Sequence, residues 1–176
     1  MRKLISWLTR FLRPPIAKDL ECQDSAGVSI KLSDEDKTLF TKFCQFVWIQ
    51  GEPIPLIYDI KSDVYISQGV SLQLLKHFES IGLLTIEPDG YVKKKFGKHT
   101  RLFYVGKPTK IEFPNDANNQ LSLGHVLLTD AGKALAVSYG VSRNQAFYEY
   151  VIAKWFQQGL VLSSIQLGVE KSPHSH

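Results

Sequence analysis

The chain has 176 residues, of which 44% are hydrophobic and 22% are charged. This composition is ordinary for a globular protein and argues against wholesale disorder. The length fits one domain with appendages. The two cysteines form no CxxC pair, which argues against a disulfide framework and favours a cytoplasmic protein.

The first 16 residues predict a short amphipathic helix. Apolar residues recur at helical spacing over residues 4–12, basic residues lie largely opposite, and Pro14-Pro15 ends the pattern. The apolar run is too short and too charged for a secretory signal or a membrane span. Three roles stay open for residues 1–16: docking on the protein's own domain or a subunit, binding a partner protein, or resting on an anionic membrane surface. Residues 17–30 lack periodicity and predict a linker.

A capped helix opens the predicted domain, which spans residues 31–168. Ser33 and Asp36 occupy the positions of a capping box. Behind them, an apolar stripe at helical spacing runs as far as Trp48, and Gly51 marks the predicted end of the helix.

The rest of the chain alternates between short strands and helices, separated by glycine, proline and capping residues. The predicted strands cover residues 54–58, 83–87, 91–96, 101–105, 109–113, 121–128 and 160–167. The predicted helices cover a short stretch within residues 59–68, then residues 71–81, 129–140 and 143–158. Residues 169–176 are expected to be disordered.

Charge is concentrated in one segment, residues 90–110, which we call the basic wing. It carries seven basic residues and no acidic residue: Lys93, Lys94, Lys95, Lys98, Arg101, Lys107 and Lys110. The first 18 residues add five basic residues and no acid, whereas the remainder holds nine basic and 17 acidic residues, a net charge of −8. A cation-rich ribbon on an acidic body is typical of a protein that binds a polyanion, most commonly nucleic acid. We expect these cations to lie on one long hairpin and to share a common outward surface, since the nucleic-acid interpretation depends on it.

The order of elements resembles a winged helix-turn-helix, in which a strand and a basic hairpin follow the recognition helix. LTDAGKALA at residues 128–136 resembles the LTxxGxxL step that leaves the wing in many bacterial domains of this kind. Residues 32–160 also resemble an uncharacterised bacterial family, the domain-of-unknown-function 2806 group, in LSDEDKTLFTKFCQFVW, LLKHFESIGLL, LTDAGKALA and FYEYVIAKWFQQGL. The resemblance implies an α+β fold, a winged helix-turn-helix with an enlarged basic β-wing and extra N- and C-terminal helices. It supplies no catalytic residues.

The helix over residues 71–81 is the candidate recognition helix. Gln73, Lys76 and His77 are its candidate groove contacts, whereas Glu79 opposes phosphate. A core helix with a mixed polar face fits the same pattern. For the basic wing, a solvated edge that prevents sheet-to-sheet aggregation is the alternative to phosphate contact.

Aromatic residues are interleaved with the cations of the basic wing, at Tyr91, Phe96, Phe103 and Tyr104. Exposed rings can stack on unpaired bases, at about 1–3 kcal/mol per base. Because alternate residues of a strand face inward, Phe103 and either Tyr91 or Phe96 are expected in the core. The helix over residues 143–158 is aromatic on more than one face, which favours a homodimer through the Trp155 helix or cover by the N-terminal helix.

Patterns of enzymes and metal sites are missing from the chain. The histidines form no HxxxH or HExxH pair, and no GxSxG motif, P-loop or dinucleotide glycine pattern occurs. We therefore expect a non-enzymatic protein, without metal or cofactor, that contacts the phosphates of nucleic acid, with DNA favoured. The main alternative is a protein-interaction adaptor or membrane-surface module that docks an acidic partner through the basic wing or residues 1–16. A toxin or defence effector that acts through a site without a recognisable motif is a third interpretation.

Overall fold

The structure, a computed structural model, describes residues 22–23 and 29–164 and is a mixed α+β fold, as predicted. The predicted N-terminal helix and C-terminal tail lie outside the described residues. The helices are α1 (Asp34–Phe43), α2 (Asp63–Ile66), α3 (Leu72–Ser80), α4 (Asp130–Ser138) and α5 (Gln145–Gln157). The strands are β1 (Cys22–Gln23), β2 (Ser29–Ile30), β3 (Val47–Gln50), β4 (Glu52–Pro55), β5 (Leu84–Ile86), β6 (Val92–Phe96), β7 (His99–Tyr104), β8 (Lys107–Glu112), β9 (Asn119–Ser122), β10 (Val126–Leu128) and β11 (Val161–Ser164).

The described strands pair antiparallel and form one large sheet and three small ones. The large sheet has five strands in the order β11-β8-β7-β3-β4, and the pairs are β1-β2, β5-β10 and β6-β9. The β1-β2 pair lies within the predicted linker. Because β5 pairs with β10, the residues between them form one long insertion that contains β6, β7, β8 and β9.

The first helix is shorter than predicted. It ends at Phe43, and after a short 3₁₀ helix the residues Val47–Gln50 form β3, so the prediction of a helix as far as Trp48 is wrong. Valine, tryptophan and isoleucine favour strands, and pairing with both β4 and β7 outweighs their helical spacing. Gly51, with a φ of +73°, forms the turn between β3 and β4 instead of ending a helix.

Gly124 divides what the sequence predicts as one strand over residues 121–128. Its φ is +85°, and it bridges to Ile57, where an added Cβ would lie 2.4 Å from the backbone oxygen. This close approach ends β9 at Ser122, and the next strand, β10, begins at Val126. The strand predicted over residues 54–58 begins earlier than expected, as β4, and Ile57 is left in this isolated bridge.

Thr129 and Gly132 fix the start of α4 against the connection between α3 and β5. The Thr129 hydroxyl donates to the backbone oxygen of Gly82 at 2.6 Å and accepts the N–H of Gly132 at 3.1 Å. A Cβ on Gly132 would lie 1.9 Å from the backbone oxygen of Leu83. The helix predicted to begin after Thr129 is confirmed, and this glycine allows it to lie directly on the neighbouring backbone.

A largely aromatic core joins the five-stranded sheet to α5. The Trp48 ring stacks on Tyr104 at 4.9 Å and meets Trp155 edge-on at 5.0 Å, and all three side chains are fully buried. Trp155 therefore packs inside its own domain and is closed to a dimer contact. Phe156, 72% exposed, is the large aromatic residue that α5 presents to solvent, and a homodimer through this helix stays a prediction.

Candidate nucleic-acid interface

The basic wing is divided between two sheets. β6 pairs with β9, whereas β7 and β8 form a hairpin within the five-stranded sheet, so the prediction of one long basic hairpin is wrong. The buried amide of Asn119 accounts for this pairing, because its Nδ2 donates to the backbone oxygens of Gly97 and Asn115, at 3.0 Å and 2.7 Å. These bonds hold the returning strand β9 beside β6.

A bulge in β6 places two lysines on its exposed side. Between Lys93 and Phe96, which both pair with β9, β6 has two residues where β9 has one. Lys94 and Lys95 fill this bulge and are exposed, and Lys95 has a φ of +66°. A lysine in this left-handed region costs about 1–2 kcal/mol. The bulge thus turns two neighbouring lysines outward, which regular alternation would not allow.

Two cations of the wing are held by the protein itself. The Lys93 ammonium donates to the Gln50 side chain and lies 3.4 Å from the Gln50 backbone oxygen. Lys98 donates to the backbone oxygen of Pro114 at 3.2 Å and lies 3.8 Å from the Asp116 carboxylate. Both lysines are half-buried. Lys93 ties the insertion to β3, and Lys98 ties the connection between β6 and β7 to the loop after β8, so we remove both from the set of cations that are available to a ligand.

The five-stranded sheet has an inner face on the core and an outer face toward solvent. Leu102 and Tyr104 are buried on the inner face, whereas Arg101 and Phe103 are exposed on the outer face. Arg101 pairs in register with Lys110, so the two cations are cross-strand neighbours. Phe103, 39% exposed, contradicts the prediction that it lies in the core. Apolar residues occur on both faces of β7, so the pattern alone left its orientation undecided.

Five cations of the wing form no ion pair or side-chain hydrogen bond with residues 29–164. We call them the free cations, and they are Lys94, Lys95, Arg101, Lys107 and Lys110. Two of them lie on the β6 bulge, two on the outer face, and Lys107 at the start of β8. Lys93 contacts Gln50 of β3, and the Phe96 ring stacks on Phe113, which follows β8, so the bulge lysines project from the other side of β6. The free cations therefore form two groups on different surfaces, and the expectation that the cations of the wing share one outward surface is wrong.

The polar face of α3 is partly occupied by contacts within the domain. His77 Nε2 lies 2.6 Å from a carboxylate oxygen of Asp36 and joins α3 to α1. This hydrogen bond, followed by one from Ser33, lowers the pKa of Asp36 below its ordinary value of 3.8. Glu79 accepts a backbone N–H of β5 at 2.9 Å. His77 is therefore engaged although it is exposed, and the predicted groove contacts that are exposed and have no side-chain hydrogen bond among the described residues are Gln73 and Lys76.

Other chemistries find little support among the described residues. Residues 22–23 and 29–164 contain no group of three His, Cys, Asp or Glu side chains that could hold a metal ion. Burial raises the pKa of the Cys44 thiol to about 12, which disfavours the reactive thiolate. Over the same residues, no helix is long and apolar enough to cross a membrane.

Comparison of the chain with protein-family models, with curated proteins and with solved structures finds no match in any of the three. The resemblances to winged-helix domains and to the domain-of-unknown-function 2806 group therefore stay predictions, and we argue the function from the geometry of the described residues.

Proposed function

We propose that this protein binds nucleic acid and contacts phosphates through the free cations of its basic wing. The observation that carries the proposal is the density of the free cations: five of them lie within 17 residues, Lys94 to Lys110, and none of the five has an ion-pair partner among the residues that the structure describes. Outside the wing, residues 29–164 hold eight lysines and arginines spread over a much longer stretch, and two of these form ion pairs, Lys133 with Glu52 at 2.6 Å and Lys37 with Asp34 at 3.4 Å. A segment of such density, without an acidic residue, favours an external polyanion as its partner.

We also propose that the domain is a winged helix-turn-helix whose wing is enlarged by the insertion between β5 and β10. The order α1, α2, α3, β5, β10 and α4 supports this assignment. Ile57 lies between α1 and α2, and its bridge to Gly124 corresponds to the short third strand that a winged helix has beside its hairpin, here the β5-β10 pair. On this assignment α3 is the recognition helix, and Gln73 and Lys76 are its exposed groove contacts.

Fluorescence anisotropy with labelled DNA at low salt tests the proposed function. A variant with all five free cations replaced by glutamine is expected to bind at least about tenfold more weakly than the parent, because its phosphate contacts are lost. The control variant has glutamine in place of Lys31, Lys42 and Lys61, which lie outside the wing, and it should keep most of the affinity of the parent. A parent that binds neither single-stranded nor duplex nucleic acid would contradict the proposal, as would equal affinity of parent and five-cation variant.

A protein-interaction adaptor is a second candidate, and an apolar groove between α5 and β11 favours it. Phe156 and Val161, 72% and 64% exposed, line this groove, which has a volume of about 490 Å³. Co-sedimentation with anionic vesicles, with and without residues 1–16, tests the membrane form of this candidate. Analytical ultracentrifugation of the parent and of Phe156→Glu tests the form in which a second copy covers the groove.

A further inference from the structure

The outer face of the five-stranded sheet carries three rows of side chains that cross the strands. The strand register aligns the members of each row. The first row is apolar and consists of Pro53, Ile49, Phe103 and Pro108. The second row is polar and cationic and consists of Arg101, Lys110 and Ser163. The third row consists of His99, Glu112 and Val161.

The apolar row is separate from the core. Ile49 and Phe103 lie outside the cluster of core residues, which fills the opposite face of the sheet. α5 covers that opposite face, where its Tyr148 ring stacks on Trp48 at 5.8 Å. The Phe103 ring therefore sits on a solvent-facing sheet surface, in the middle of the row and with neighbours on both sides.

Charge on the outer face is arranged to leave the second row positive. Among the side chains of these three rows, Glu112 is the one carboxylate, and it lies 3.4 Å from Nε2 of His99 in its own row. The second row therefore contains no carboxylate. The side chains of Arg101 and Lys110 form no ion pair or hydrogen bond with the described residues. Residues two apart on a strand are about 7 Å apart, so a group held by Arg101 lies next to the ring of Phe103.

We propose that this outer face binds single-stranded nucleic acid, with a base stacked on Phe103 and the neighbouring phosphates held by Arg101 and Lys110. The inference rests on the proposed function and makes a single strand its preferred ligand, with the groove contacts proposed for α3 left to a weaker binding of duplex. A duplex keeps the faces of its bases inside the helix, whereas a single strand offers flat bases and phosphates side by side. The apolar row beside the cationic row matches that pattern, and charge complementarity favours this ligand over an uncharged apolar partner.

Fluorescence anisotropy with 12-nucleotide single-stranded RNA, single-stranded DNA and a 12-base-pair duplex tests the proposal. The parent is expected to bind a single strand more tightly than the duplex, and the RNA and DNA arms identify which single strand is preferred. Phe103→Ala should weaken single-strand binding about 5- to about 150-fold, which corresponds to the loss of one stacked base. Val137→Ala, which truncates an exposed apolar residue on α4, serves as the control and should bind like the parent.

Two conservative variants keep the test valid if the alanine variant is unstable. Phe103→Trp retains a flat ring and should retain the affinity, whereas Phe103→Leu retains apolar bulk and should lose it. Equal single-strand affinity of the parent and the leucine variant would overturn the stacking site, as would a parent that prefers the duplex. Either outcome leaves phosphate contact by the free cations intact, whereas a parent that binds no nucleic acid defeats the proposed function itself.

Discussion

The division of the basic wing into free and held cations predicts how binding responds to salt. Each phosphate contact with a single strand adds about 0.7 to the slope of log affinity against log salt concentration, so five free cations limit the slope to about 3.5. Replacing Arg101 and Lys110 by glutamine should lower it by about 1.4. Replacing Lys93 and Lys98 should leave it unchanged, because these two lysines already donate to groups of the protein.

These slopes translate into affinities that are easy to measure. Between 50 and 200 mM salt, the parent should lose affinity by at most about 130-fold, and the Arg101/Lys110 variant by at most about 20-fold. Anisotropy titrations of a single-stranded 12-mer at four salt concentrations give the slope for each protein. The Lys93/Lys98 variant should instead show a lower free energy of unfolding in urea, because its lost hydrogen bonds brace the insertion.

The matched pairs of cations make this prediction refutable. If the Lys93/Lys98 variant lowers the slope as much as the Arg101/Lys110 variant, the contacts within the protein do not decide which cations meet phosphate. If the parent binds with an affinity that is insensitive to salt, phosphates are not the main contact at all. Circular dichroism of each variant separates a loss of contact from a loss of fold.

Three further predictions concern the scaffold and the strained bulge. Gly132→Ala should lower the free energy of unfolding by about 3 kcal/mol or more, because its Cβ would lie 1.9 Å from a backbone oxygen. Gly140→Ala is the control and should change this free energy little, because no atom lies within 4 Å of its Cβ. Equal urea midpoints of the two variants would contradict the prediction. Lys95→Gly should raise the free energy of unfolding by up to about 1 kcal/mol and lower the salt slope by about 0.7, and a loss of stability would show that the positive φ carries no strain. Asp36→Asn should lower the free energy of unfolding by about 1 kcal/mol at pH 7. Because the folded protein lowers the pKa of Asp36, the stabilisation by this carboxylate is present above pH 3.8 and is lost as the pH falls through the lowered value. Urea unfolding should therefore separate the variant from the parent at pH 7 and no longer separate them near pH 2.

Local signals in the sequence predict the helices well. The capping side chains of Ser33, Ser71 and Thr129 each accept a backbone N–H in the first turn of the helix that the sequence places there. A cap involves residues within one turn, so its pattern is visible in a short window of sequence. The end of α1 could not be predicted in this way, because Val47–Gln50 gains its strand partners from distant segments.

The composition of the candidate site is visible in the sequence, whereas its geometry is not. All seven cations of the basic wing could be found by counting charges. Which of them are held depends on long-range contacts, such as the one between Lys93 and Gln50, which lie 43 residues apart. The outward position of Phe103 depends on the register of β7 with β3, which residues 101–105 alone do not specify.

The most direct test of the outer face as a binding surface is a map of backbone amide chemical shifts as a single-stranded 12-mer is added to the labelled protein. We expect the largest changes at Ile49, Arg101, Phe103 and Lys110, which are neighbours on β3, β7 and β8. Changes confined to α5, or spectra that stay the same at a saturating concentration of the oligonucleotide, would contradict the account.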